Sequence, residues 1–307
     1  MSWAAHELES YFIQKHTKVS VSFLAILIGC LLPDMLTKLP VYGINIGNLA
    51  LLKADVPFQY HRGWPGVGFT HSLLFGLLVA ALVFRFTGSR EWFLGLLLGQ
   101  WAHVLTDVFD SVGTMVFFPF TTQHYTTGMW AYAAQQGRYG DAAAYYSSLG
   151  GIWDFMWLAL ALTGFRVFSK TYFFRTVVPA DPAWGWLRRR FGMSEIAMLA
   201  LYRAFFLYGA CRAISWFLWA RFVDHAPLDL RWGGPYWVDK VVLPAQTWQS
   251  YLGNTLVGLT GVALTCYLAW RFILRRWWRE AGDRRLGVVS TAKAADVPRA
   301  GRDPGHD

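Results

Sequence analysis

Apolar residues run along this chain in long, nearly unbroken blocks: VSVSFLAILIGCLL, SLLFGLLVAALVF, WFLGLLLGQWAHVLTDVF, GGIWDFMWLALALTGF, EIAMLALYRAFFLYGACRAISWFLWA and SYLGNTLVGLTGVALTCYLAW. Half-buried strands alternate with period two and rarely exceed about ten residues, so these blocks predict helices. The longer ones suit a bilayer, which takes about 20 residues per crossing. The first two are short; they either borrow flanking residues or belong to a buried bundle. The pattern predicts an all-α fold, a polytopic transmembrane bundle of about six apolar helices. Residues 3–15 mix His, Glu, Tyr, Phe and Ile and predict an amphipathic N-terminal helix. Thr17 or Ser20 is the candidate cap of the next helix. Pro33, within LLPDMLTKLP, predicts the end of that helix. FTGSRE predicts a tight turn, and the tail from about residue 284 lacks any apolar period and predicts disorder. Three regions follow: residues 1–168 with most of the polar motifs, residues 169–281 with additional transmembrane helices, and a disordered cytoplasmic tail, 282–307.

Composition sharpens the membrane reading. Of 307 residues, 55% are hydrophobic and 15% charged, against about 25% charged in a typical soluble domain. The net charge of +9 does not form a patch for nucleic acid. Its residues flank apolar blocks: Arg85 and Arg90; Arg166, Lys170, Arg175 and Arg188–Arg190; Arg271, Arg275, Arg276 and Arg279. The positive-inside rule places those segments in the cytoplasm. The intervening loops, 32–70, 110–150 and 222–250, are poorer in Lys and Arg and are expected outside, which sets both termini in the cytoplasm. Membrane lipids are the expected partners; nucleic acid is not. Cys30, Cys211 and Cys266 all fall in apolar blocks and read as buried thiols, not as a disulfide framework.

Ionisable residues then change the picture. Asp34 ends the first apolar block, His61 and Arg62 lie in the loop after it, and His71 opens the second block. His103 and Asp107 sit i,i+4 near the end of the third and share a helix face; Asp110 follows. All are expected at one side of the membrane. Histidines and carboxylates together suit zinc or another first-row divalent ion, and ionisable groups near bilayer depth need a partner. The bland readings are a helix-internal His103–Asp107 hydrogen bond, a helix-ending Asp34 and interfacial histidines. In the fifth block Arg203 and Arg212 want an anion or a carboxylate, with Asp154 or Asp224 as candidates.

The segments GCLLPD, HRG followed by FTHSL, and GQWAHVLTDVFDSVGTMVFFP resemble, in this order, the signature segments of the YdjM-like family of inner-membrane-associated proteins described as metal-dependent hydrolases. The resemblance covers roughly the first 120 residues. It implies motif positions at Asp34, His61, Arg62, His71, His103 and Asp107. It implies a further early histidine, His6, if the first helix folds back as a hairpin. The chain departs from the pattern at Leu36 and Thr37, where the family often has Asp and His, and by an inserted WPGVG between His61 and His71. The resemblance implies an integral protein of a bacterial-type inner membrane. Its expected activity is metal-dependent hydrolysis of an amphiphile with an ester or phosphoester head, at the outer face. His6, His61, His71, His103, Asp107 and Asp34 are the expected ligands of a divalent ion, zinc first and manganese second. Asp34 is alternatively a general base, and Arg62 steadies a negative oxygen. The alternatives are a non-catalytic membrane interaction or lipid-binding protein, and an anion transporter lined by Arg203 and Arg212.

Overall fold

The computed structural model of the chain describes residues 4–42, 44–46, 49–51, 68–121, 123–130, 141–234 and 248–281. Among these the fold is all-α apart from one small antiparallel hairpin, β1 (Ile44–Ile46) and β2 (Leu49–Leu51), in which Asn45 opposes Ala50. The helices in chain order are α1 (Ala5–His16), α2 (Phe23–Tyr42), α3 (Leu73–Thr87), α4 (Arg90–Asp107), α5 (Asp141–Tyr146), α6 (Leu149–Thr163), α7 (Pro182–Phe191), α8 (Glu195–Phe222) and α9 (Trp248–Ala269).

The N-terminal helix, expected to be amphipathic, is buried along most of its length, polar residues included. Ala5, His6, Glu7, Leu8, Glu9, Ser10, Tyr11 and Gln14 are all buried, because α1 is enclosed by α2, α4, α6 and α8. Tyr11 locks it to α8. Its hydroxyl donates to the Tyr202 carbonyl and accepts from Phe206 N at 2.9 Å, amid an aromatic core of Phe23, Phe173, Trp184 and Tyr202. α2 then returns beside α1. Its cap is Ser22, neither Thr17 nor Ser20: the Ser22 hydroxyl accepts from Ala25 N at 3.0 Å and donates to Asp181 at 2.6 Å.

α2 also passes straight through Pro33, where the sequence predicts its end. A proline inside a helix forfeits a backbone hydrogen bond and crowds the preceding turn, a cost of about 3 kcal/mol. Packing outweighs it here. α2 and α4 make the most extensive helix contact in the molecule, with their backbones nearly touching. A Cβ on Gly29 would lie 2.5 Å from Leu96 O, and one on Gly99 would lie 2.9 Å from Cys30 N. The continued helix carries Asp34 into the interior.

The expectation of about six membrane crossings is overturned. Among the described residues one helix, α8, is long and apolar enough to cross a bilayer. Its 28 residues span about 42 Å at 1.5 Å each. The apolar helices α3 and α6 have 15 residues each and reach about 22 Å, short of the ~30 Å hydrocarbon layer. α4 contains Arg90, Glu91 and Asp107. Much of the apolar sequence instead encloses buried polar side chains: Glu9, Ser10, Ser22, His103, Thr106, Asp154 and Asp181. An apolar run has the same appearance whether it faces lipid or a protein core. α8 itself leaves Leu207, Ile214, Leu218, Trp219 and Phe222 exposed, as a lipid-facing surface would. Of the cysteines only Cys30 is buried; Cys211 and Cys266 are exposed. The tail beyond residue 281 lies outside the described residues.

Candidate metal centre

Three elements bring one or two ionisable side chains each to a common point. α4 supplies His103 and Asp107 from one face. α2 supplies Asp34. The single helical turn Gly68–His71, just before α3, supplies His71. One ligand atom from each of Asp34, His71, His103 and Asp107 lies within 4.8 Å of all the others. His103, Asp107 and His71 are fully buried, and the Asp34 side chain is 14% exposed.

The separations discriminate between hydrogen bonding and metal ligation. His103 Nε2 and His71 Nε2 lie 3.4 and 3.5 Å from Asp107 Oδ2, and His71 Nε2 lies 3.7 Å from Asp34 Oδ1. Hydrogen bonds between nitrogen and oxygen measure about 2.7–3.2 Å. Ligands at about 2.0–2.1 Å from a tetrahedral ion lie about 3.3–3.4 Å from one another. The observed gaps match a shared ion better than direct bonds.

Each imidazole is aimed by its other nitrogen. His103 Nδ1 lies 2.6 Å from the Cys30 carbonyl oxygen. A carbonyl only accepts, so Nδ1 donates and Nε2 is turned to the cluster, the orientation of a metal-binding histidine. That contact depends on the close approach of α2 to α4 at Gly29. His71 Nδ1 lies 3.1 Å from Thr70 Oγ1. The Gln100 side chain holds the turn bearing His71 by donating to Thr70 O at 3.3 Å and Ser72 O at 2.9 Å.

His6 from α1 borders the cluster. Its ring stacks on His103 with centroids 3.8 Å apart, its Nε2 lies 3.6 Å from Asp107 Oδ1, and its Nδ1 lies 3.6 Å from Glu9 Oε2. Glu9 is itself held by the Thr106 hydroxyl. Burial alone would push the His6 imidazole down, but Asp107 and Glu9 outweigh it and raise it to about 10. Two buried carboxylates thus face His6, a charge that a divalent ion at the cluster would offset.

Other expected residues fall elsewhere. His61 and Arg62 lie outside the described residues. Asp110 turns away and accepts from Val112 N at 2.8 Å and Gly113 N at 2.7 Å. Arg212 does not pair with Asp154 or Asp224. It pairs with Glu7, whose carboxyl burial pushes up to about 6 against the pull of the guanidinium. Arg203 donates to Phe168 O at 2.9 Å. Both arginines are thus engaged by the protein, which removes the motive for an anion path. Glu7 and Glu9 were not among the candidates. The signal for Glu9 is its i,i+3 spacing from His6.

A model of the family described as YdjM inner membrane protein matches residues 3–213. The chain belongs to this family. The match extends well past the first 120 residues and takes in α1 through most of α8, so Asp154 and Arg212 fall within the family region. No curated protein and no solved structure matches the chain. Family membership and the apolar α8 together make this a membrane-associated protein with a candidate buried metal site.

Proposed function

We propose that this family member is a metal-dependent hydrolase of the inner membrane, acting on an amphiphile with an ester or phosphoester head. The observation that carries the reading is the convergence of Asp34, His71, His103 and Asp107 in a buried site. These residues hold the ion, zinc first and manganese second, because imidazole and carboxylate ligands suit both. His6 is a further ligand on the Asp107 side, and Glu9 orients it. When bound, the ion polarises the substrate head and lowers the pKa of an attacking water. Asp34, the most exposed of the set, is the group placed to accept a proton from that water. Arg62 is assigned to the developing negative oxygen.

Charge supports an outward-facing site. Arg188–Arg190 precede α8, and the positive-inside rule sets that end in the cytoplasm. Arg212, which binds Glu7 next to His6, lies about 26 Å further along α8. α2 likewise starts at Asp181, beside α7, and Asp34 is about 18 Å along it. The cluster therefore lies toward the opposite, outer end. α1 begins at that same end, so this reading puts its start outside, in place of the two cytoplasmic termini expected from six crossings.

The test is elemental analysis of detergent-purified protein expressed with zinc and manganese, together with hydrolysis of bis-p-nitrophenyl phosphate and p-nitrophenyl palmitate. The parent and His225→Ala, a control at an exposed position just beyond α8, should retain stoichiometric metal and hydrolyse one of the probes; His103→Ala should do neither. A metal-free parent overturns the reading. Bound metal without hydrolysis of either probe favours a non-catalytic binding protein.

A further inference from the structure

α1 delivers His6 and Glu9 to the metal centre, and Ala4 at its start offers no side-chain hydrogen bond. The cap comes from another helix. Asp154, fully buried on α6, accepts from Ala4 N at 2.9 Å and Ala5 N at 3.0 Å. It also accepts from the hydroxyls of Tyr145 at 3.1 Å and Tyr146 at 2.8 Å. We propose that Asp154 is a positioning residue of the metal centre, which fixes α1 at the height and rotation where His6 meets Asp107 and Glu9 meets Thr106.

The direction of the bonds carries the argument. N–H groups at a helix start point along its axis, so the Asp154 carboxylate opposes sliding of α1 along that axis. Tyr11 to α8, Glu7 to Arg212 and Glu9 to Thr106 hold α1 through its side chains instead. A carboxylate also complements the partial positive charge of the helix start. The first of the N–H groups it holds is two residues from His6, so release of the cap is felt first at the cluster. The tyrosine hydroxyls donate to the same carboxylate and keep it pointed at α1.

This inference rests on the metal-centre reading, and cobalt separates the two. Co²⁺ is added to the metal-free, detergent-purified full chain, and its affinity and visible ligand-field spectrum are recorded. Asp154→Asn keeps the shape of the side chain but presents a donor where an acceptor is needed. Tyr146→Phe is the milder variant, removing one supporting hydroxyl. Both should shift the spectrum toward that of His6→Ala, and Asp154→Asn should lower cobalt affinity about ten- to hundredfold. Asp181→Asn is the control. It disturbs a buried carboxylate at the other end of α2, where Asp181 binds Ser22 at 2.6 Å and Ala183 N at 2.9 Å. It should lower the melting temperature and leave the spectrum alone. Parental spectra and affinity in folded Asp154→Asn and Tyr146→Phe would overturn the positioning role. So would a spectral shift in Asp181→Asn as large as theirs. A parent that takes up no cobalt overturns the metal centre and this role with it.

Discussion

Gly29→Ala sets local preference against tertiary geometry, and the two give opposite signs. In a helix interior alanine is better than glycine by about 1 kcal/mol, so helix propensity alone predicts a more stable protein. The structure predicts a loss. A Cβ at position 29 would stand 2.5 Å from Leu96 O and 2.9 Å from Gln100 N. Ordinary contact begins at 3.4 Å, so α2 and α4 must separate by about 0.9 Å there. The obstacles are backbone atoms and cannot rotate away. Overpacking of this kind costs about 1–3 kcal/mol, leaving a net loss of up to roughly 2 kcal/mol once propensity is subtracted. The same movement stretches the adjoining contact from His103 Nδ1 to Cys30 O, now 2.6 Å, to about 3.5 Å, beyond hydrogen-bonding range. Loss of such an orienting bond typically weakens metal binding about 10–100-fold, or about 1.4–2.7 kcal/mol. The assay is thermal unfolding and zinc affinity in detergent, with Gly261→Ala as control, since nothing lies within 4 Å of a Cβ there. A Gly29→Ala protein that melts at or above the parent temperature and binds zinc equally well would refute the account of how α2 and α4 build the site.

Further outcomes follow from the same contacts. Arg212→Met leaves Glu7 buried beside His6 and should cost on the order of 3 kcal/mol in unfolding free energy, at the lower end because Arg212 is 27% exposed. Arg203→Met removes only exposed bonds to Phe168 O and should cost about 1 kcal/mol or less. Gln100→Leu frees the turn that holds His71 and should weaken zinc binding measured by competition with a chromogenic chelator, while zinc affinity equal to the parent's would show that the turn holds itself. Chelation should lower the melting temperature of the parent, since a ligand at a hundred times its dissociation constant stabilises by about 2.7 kcal/mol; His103→Ala should be indifferent to chelator.

Residue order alone determined the local features. The apolar blocks specified helices, FTGSRE specified the α3–α4 turn with Ser89 capping α4, and the i,i+4 spacing put His103 and Asp107 on one face. The types and order of Asp34, His71, His103 and Asp107 were enough to nominate a metal site and a family. Each is a property of a short stretch, governed by backbone geometry and side-chain chemistry. Tertiary structure decided the rest. It carried α2 through Pro33, because packing against α4 outweighs the local cost of proline. It buried α1, because Glu7 and Glu9 found partners on other helices that a periodicity count cannot see. It joined His103 to a carbonyl 73 residues away and Asp154 to a helix start 150 residues away, contacts that exist only once the helices have docked. It also decided how much of the apolar sequence meets lipid, since a core and a bilayer impose the same demand for apolar side chains, and only the lengths and neighbours of the folded helices tell them apart.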